Sequence, residues 1–303
     1  MIHVMIKALF LMMTFIPLPL GQFLGKLLGT ALSLVPTSRT AVVLENIRRS
    51  FPGTPYAENP DRLMRKVFLH YGQMLFEVPH ILRMTPENLE RYVVFQDIEN
   101  LQQALEKGKG VFGLTAHFGN WEVTSAAMSL RFRNLAIVVR PIDFPPFDRF
   151  MEELRARFGM EIIPKRRAMR RLLGALKERK VIGILLDQNV AWYEGVFVNF
   201  MGRRACTNKG LALLALKTGA PVVPVFSVRQ KDGRFRIICE PEIQLVRTGD
   251  KTMDIEENTA RFTAVIEKYV REYPDHWFWF HRRWKTLPYC KLPEAFVSSD
   301  KKH

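Results

Sequence analysis

Short uncharged runs recur along this chain with helical stretches between them. They are Gly110–Ala116 (GVFGLTA), Leu135–Val139 (LAIVV), Val181–Leu186 (VIGILL) and the strand-like Val222–Ser227. Each has the length and the apolar, β-branched content of a strand buried on both faces. Between and around them, residues 101–107, 121–130, 149–158, 169–178 and 209–218 read as helices, and Met160–Ile163 as a further short strand. Strands alternating with helices predict an α/β fold with a largely parallel central sheet flanked by helices. Phe235–Glu240 reads as the hairpin partner of the preceding strand. Helices are also expected over residues 40–50, closed by FPGTP, over 61–83, and over 256–272. At 303 residues with 48% apolar side chains, the chain can bury a sizeable core without disulfides or metal staples.

The N-terminus breaks this pattern. Ala8–Gly25 (ALFLMMTFIPLPLGQFLG) carries no charge, and eighteen such residues reach the lower end of what spans a bilayer. A cleaved signal peptide, a buried core helix and a membrane anchor compete as explanations. Lys7 is the sole Lys or Arg ahead of the run, and no A-x-A site follows it, which weighs against a signal peptide. Pro17 and Pro19 weigh against one straight helix. An anchoring helix, spanning or interfacial, is the favoured reading. It divides the chain into residues 1–35 as anchor and 36–303 as the folded domain. Arg39, Arg48, Arg49, Arg62, Arg65 and Lys66 follow the run and place that domain on the cytoplasmic side.

The net charge of +15 calls for an anionic partner: nucleic acid, an anionic membrane, or an acidic protein or substrate. Cys206, Cys239 and Cys290 form no CxxC pair and argue against both a disulfide framework and a zinc site.

The stretch that carries chemistry is Thr115–Glu122, TAHFGNWE. His117 stands just past an apolar strand, where functional groups of open α/β sheets collect. Glu122 stands where the next helix begins. On a regular helix a five-residue offset puts two side chains roughly 140° apart. They can therefore meet only if His117 lies in the turn and Glu122 on the first helical turn. A carboxylate accepting from one ring nitrogen would leave the other as a general base. Backbone N–H groups near Gly119 and Asn120 could stabilise an oxyanion. No G-x-S-x-G elbow occurs, no serine or cysteine stands beside His117 in sequence, and no third zinc ligand is evident nearby.

TAHFGNWE resembles the H-x4-D/E block of the late lipid A acyltransferases, a branch of the lysophospholipid acyltransferase superfamily. Four further segments agree in order: Val139–Pro141 (VRP), Leu186–Gln188 (LDQ), Val196–Pro224 with its F-x-G, A-x-T and TGA-x-x-VP elements, and Trp279–Pro288 (WFHRRWKTLP). The resemblance implies a glycerolipid acyltransferase-like fold and an enzyme that uses neither cofactor nor metal. It implies transfer of an acyl chain from acyl carrier protein to a hydroxyl of an anionic lipid A precursor at the inner membrane. His117 would deprotonate the hydroxyl, Glu122 would orient His117, and no acyl-enzyme would form. Asn120, Arg140, Asp187, Arg203 and Arg204 would bind substrate. The superfamily's Gly-Thr-Arg-like phosphate element is not spelled out here, and Gly202, Arg203 and Arg204 stand at about its place. Acylation of another glycolipid or a lysophospholipid, and a basic lipid-binding protein without catalysis, are the rival readings.

Two basic segments remain. Pro164–Leu173 (PKRRAMRRLL) reads either as a solvated helix start or as a docking patch for headgroups or an acidic carrier protein. Arg140 and Asp187, at successive strand ends, could pair with each other if buried. His276–Lys285 (HWFWFHRRWK) interleaves aromatic and basic residues, but no RNP, KH or helix-turn-helix signature makes it a nucleic-acid site. Core packing or an interfacial belt is expected for it instead. The tail Ser298–His303 is polar and expected to fray.

Overall fold

The computed structural model describes residues 2–165 and 168–288, so Arg166, Arg167, Cys290 and the polar tail lie outside the described residues. The chain begins with helices α1 (Ile2–Met13), α2 (Leu18–Ser33), α3 (Ser38–Ser50), the single turn α4 (Pro55–Glu58) and α5 (Pro60–Glu77). Then come β1 (Val93–Gln96), α6 (Glu99–Glu106), β2 (Val111–Thr115), α7 (Trp121–Phe132), β3 (Leu135–Val139), α8 (Pro145–Ala156) and β4 (Glu161–Pro164). The remainder is α9 (Ala168–Lys177), β5 (Val181–Leu185), β6 (Gly195–Phe200), β7 (Arg203–Asn208), α10 (Gly210–Thr218), β8 (Val222–Arg229), β9 (Phe235–Cys239) and α11 (Lys251–Glu272).

Seven strands form one sheet in the order β1-β9-β8-β2-β5-β3-β4. Five of them, β8-β2-β5-β3-β4, run parallel, while β9 returns antiparallel to β8 as the expected hairpin and carries β1 alongside it. Successive residues of β2 serve different cores: Phe112 and Leu114 pack with helices α3, α5, α10 and α11, and Val111 packs with α6, α7 and α8. A two-sided core explains why these strands read as continuous apolar runs rather than alternating ones.

Several elements differ from expectation. β1 is a four-residue edge strand with too little pattern to be read alone. The β6–β7 hairpin, turning through Met201 (φ 53) and Gly202 (φ 75), is an addition to the expected elements: neither of its strands alternates cleanly between buried and exposed positions, so its sequence carries no strand period. The helix from Pro60 stops at Glu77 and continues as a 3-10 turn over Val78–Arg83, because Pro79 cannot donate an amide. α8 and α11 start earlier than expected, at tandem prolines and at the Asp250 N-cap respectively.

The N-terminal run is two helices, not one. Pro17 is the N-cap of α2 and Pro19 lies in its first turn, and the two helices meet at a bend of 118°. Among the described residues no single helix is long and apolar enough to cross a membrane. α1 seats Phe10 against Phe147 and Phe150 of α8. α2 packs on α5 so closely that a Cβ on Gly25 would lie 2.6 Å from the Gly72 carbonyl oxygen. The outward faces leave Val4, Met5, Met12, Phe15, Phe23 and Leu27 exposed.

Candidate active site

The register of the central strands builds the site. β2 and β5 pair residue for residue from Val111↔Val181 to Thr115↔Leu185. Extending that register by two residues past each strand end brings His117 beside Asp187. The imidazole Nδ1 lies 2.9 Å from Asp187 Oδ1. The other carboxylate oxygen accepts from the Trp277 indole at 2.8 Å. Asp187 is 2% exposed and His117 24% exposed, so the ring joins a buried anchor to an open edge. Burial opposes ionisation of Asp187, but His117, through its charge and its hydrogen bond, and the Trp277 indole outweigh it and hold the carboxyl at about 2. With Nδ1–H donated to Asp187, Nε2 is left with a lone pair that can accept a proton or a hydrogen bond. The Gln188 amide nitrogen stands 3.3 Å from that atom.

The turn that presents the ring is tightly held. Gly119 has φ +61, and a Cβ there would meet the Ser227 carbonyl oxygen at 2.1 Å. Glycine is thus required both by conformation and by space. The Phe278 amide donates to the His117 carbonyl (3.0 Å), and the Gly119 amide to the His276 carbonyl (2.9 Å). The segment HWFWF therefore forms the wall behind the histidine, with Phe278 and Trp121 flanking the ring at centroid distances of 6.1 and 5.2 Å. Trp277 and Trp279 are fully buried, as the core reading expected.

The expected His117–Glu122 hydrogen bond is not formed. Glu122 makes a two-pronged pair with Arg155 of α8, at 3.1 Å to Nε and 2.6 Å to Nη2, and accepts from the Trp121 indole at 3.2 Å. Burial works against the Arg155 charge, yet Glu122 overcomes it and raises the guanidinium further. Glu122 therefore reaches His117 only through Trp121, whose ring stands edge-on to the imidazole. The reason is geometric: its place at the second residue of α7 aims the carboxylate toward α8 rather than back into the turn.

Of the expected substrate-binding residues, Asp187 alone meets His117. It does not hold Arg140, which is exposed and paired with Asp143 at 2.8 Å. Asn120 is fully buried and caps α7: its Oδ1 accepts from the Val123 amide at 3.2 Å and its Nδ2 donates to Glu77 at 3.1 Å. Arg203, at the hairpin tip, lies over the Trp284 ring at 4.3 Å, and Arg204 is exposed on the neighbouring position. Neither makes a polar contact with His117. Arg283 is the arginine that approaches the site: fully buried, it bonds to the Cys206 carbonyl at 2.7 Å, the Gln188 carbonyl at 3.4 Å and the Thr207 hydroxyl. Burial pushes its guanidinium down to about 10. Arg155, Gln188 and Arg283 were missed as site residues. Gln188 and Arg283 lie within the LDQ and WFHRRWKTLP segments, while Arg155 carries no local signal.

His70, Asp275 and His276 have ligand atoms within 4.8 Å of one another. Their nitrogens are engaged: His70 faces the Arg229 guanidinium and the Gly119 carbonyl, and His276 faces the Arg229 amide and Asp275. A guanidinium beside the cluster disfavours a metal cation there. Cys206 and Cys239 are buried, and burial pushes both thiols up, Cys239 to about 12. Neither is a thiolate nucleophile at neutral pH.

A histidine at a strand end, backed by a buried carboxylate and, among the described residues, with no thiol or serine hydroxyl bonded to it, suits direct attack by a hydroxyl. The profile of bacterial lipid A biosynthesis acyltransferases matches residues 1–286. The chain belongs to that family. It is an O-acyltransferase, as its relatives are. It is 24% identical to the lipid A biosynthesis palmitoleoyltransferase of Escherichia coli over 90% of this chain and 87% of that one. It is 26% identical to the phosphatidylinositol mannoside acyltransferase of Mycolicibacterium smegmatis over 79% of each chain. Among solved structures, the 1-acyl-sn-glycerophosphate acyltransferase of Thermotoga maritima aligns with 78% of this chain and 99% of its own, at 15% identity and a TM-score of 0.38.

Proposed function

We propose that this acyltransferase moves a fatty acyl chain from acyl carrier protein to a hydroxyl of a lipid A-type glycolipid, on the cytoplasmic face of the inner membrane. The observation that carries the reading is the His117–Asp187 pair at the carboxyl ends of two central strands, with the carboxylate buried and the imidazole 24% exposed. Nε2 takes the proton of the acceptor hydroxyl as its oxygen bonds to the thioester carbonyl carbon. Collapse of the adduct breaks the C–S bond, and the departing thiolate recovers the proton from the imidazolium. Asp187 holds the tautomer and balances the transient positive charge. The names of the Escherichia coli relatives support the acceptor. The resemblance to a phosphatidylinositol mannoside acyltransferase favours a second reading, in which another glycolipid is acylated by the same chemistry.

The apolar outer faces of α1 and α2 support an interfacial seat rather than a single spanning helix. Exposed Lys165, Arg170 and Arg171 supply a basic surface for an acidic carrier protein. The test is incubation of the purified full chain with acyl carrier protein thioesters and a panel of glycolipid acceptors, read by lipid mass spectrometry. A mass increase of one acyl chain on a lipid A precursor supports the first reading. Acylation of a mannoside acceptor alone supports the second, and no acylation of any acceptor overturns both.

A further inference from the structure

A buried polar network outside the reacting groups grips the turn that carries His117. Its hub is Glu77, at the end of α5, paired two-pronged with Arg229 of β8: Nε to Oε1 at 2.7 Å and Nη2 to Oε2 at 2.9 Å. The two side chains are 2% and 9% exposed. Arg229 Nη1 lies 2.7 Å from His70 Nδ1, and since a guanidinium only donates, Nδ1 is the acceptor. His70 therefore carries its proton on Nε2, and donates it to the Gly119 carbonyl at 3.1 Å. Glu77 also accepts from Asn120 at 3.1 Å. The carbonyl of Gly119 and the side chain of Asn120 are thus both tied to one ion pair. Burial first, then Arg229 and His276, keep the His70 ring well below its ordinary range, so it stays a neutral, fixed donor.

The network extends to the N-terminal hairpin. Gln22 of α2 donates to Glu77 at 2.9 Å and to the Gly233 carbonyl at 2.9 Å. This amide is 8% exposed, on a helix whose outer face is apolar. We propose that His70 and Glu77 are positioning residues that set His117 against Asp187, and that Gln22 makes the seating of the hairpin part of the same device. The inference rests on the acyltransferase reading for its kinetics, but not for its structural readout. A turn that passes through a left-handed Gly119 packed against Ser227 and is anchored on both sides has little slack, and a misplacement of about 1 Å at a reacting group can cost about 100-fold.

The experiment uses the full chain in detergent, with variants His70→Leu, His70→Gln and Gln22→Leu. Gln can still present an amide N–H toward Gly119, whereas Leu cannot. His70→Leu is expected to lower kcat about 10- to 100-fold, with KM for both substrates within about twofold. His70→Gln should recover most of the loss. Hydrogen exchange at the Phe118–Asn120 amides should speed up about 10-fold in His70→Leu, with the rest of the sheet unchanged. Gln22→Leu should lower kcat about 3- to 10-fold while its partition onto phosphatidylglycerol vesicles stays at the wild-type value. The proposal is overturned if folded His70→Leu keeps wild-type kcat and exchange, or if lost activity tracks lost folded protein alone. It is equally overturned if Gln22→Leu changes partition but not kcat. Should His70→Leu fail to fold, His70→Gln and Gln22→Leu decide. Wild-type protein that acylates nothing would sink the functional reading, and exchange at residues 118–120 would still decide the network.

Discussion

Asp187 and Glu122 make different contributions although both are buried carboxylates near His117. Asp187 bonds the ring itself; Glu122 bonds Arg155 and the neighbouring indole. His117→Ala should lower kcat by about 10²–10⁴-fold, the usual contribution of a positioned base, with the fold intact by circular dichroism. Asp187→Asn should depress kcat strongly as well, because an amide can hold the ring but cannot balance its charge. Glu122→Gln should appear chiefly as lost stability of about 3–5 kcal/mol, since it leaves Arg155 buried without a counter-charge. Denaturant titration beside steady-state kinetics separates the two, and a Glu122→Gln enzyme that is stable yet inactive would move Glu122 into the catalytic machinery. No acyl-protein should be seen by mass spectrometry when donor is supplied without acceptor.

At the scale of elements, the α2–α5 contact is the seam between hairpin and sheet. Gly25, Gly29 and Gly72 let the two backbones touch, and any side chain there meets main-chain atoms that cannot move aside. Gly25→Leu should therefore lift α2, costing about 1–3 kcal/mol and opening the hairpin to limited proteolysis. Because Gln22 lies three residues away on the same helix, kcat should fall in parallel. Intact protease resistance would show that α2 seats by some other contact. Basic α9 belongs at this scale too. Replacing Arg170 and Arg171 by Gln should raise the KM for acyl carrier protein and flatten its salt dependence, with kcat little changed, because exposed charges act within about 8 Å at physiological salt. An unchanged salt response would leave these arginines as a solvated face.

For the whole molecule, acid sensitivity follows from buried histidines. His281 is pushed down to about 4 by burial, opposed by Asp187 and aided by Arg283, and burial together with Arg229 also holds His70 well below the usual histidine range. Below the ordinary histidine value of about 6.5 the unfolded chain binds protons that the folded chain refuses. Stability is therefore full above that value and falls as pH drops toward 4. Asp187, held at about 2, adds a later loss that begins below about 4 and completes only near 2. The melting temperature should decline from pH 7 to pH 5 with proton uptake on unfolding, and His281→Asn should flatten part of that slope. A melting temperature independent of pH over this range would show that these rings titrate in the folded state.

What the sequence determined by itself was what repeats locally. Apolar runs of strand length alternating with helices specified a parallel sheet. Proline placement warned that the N-terminal run was not one straight helix, and the TAHFGNWE block placed a histidine just past a strand. Those features depend on neighbours within a few residues. Partner choice did not. His117 and Asp187 are 70 positions apart and meet because β2 and β5 pair in a particular register. Glu122, five positions away, is carried off by the direction of α7 into the reach of Arg155. Gln22 and Glu77, 55 apart, meet because three glycines allow two helices to close. Spacing along a chain states what can be adjacent; strand register and helix packing decide what is, because hydrogen bonds need donor and acceptor within about 3 Å whatever their separation in sequence.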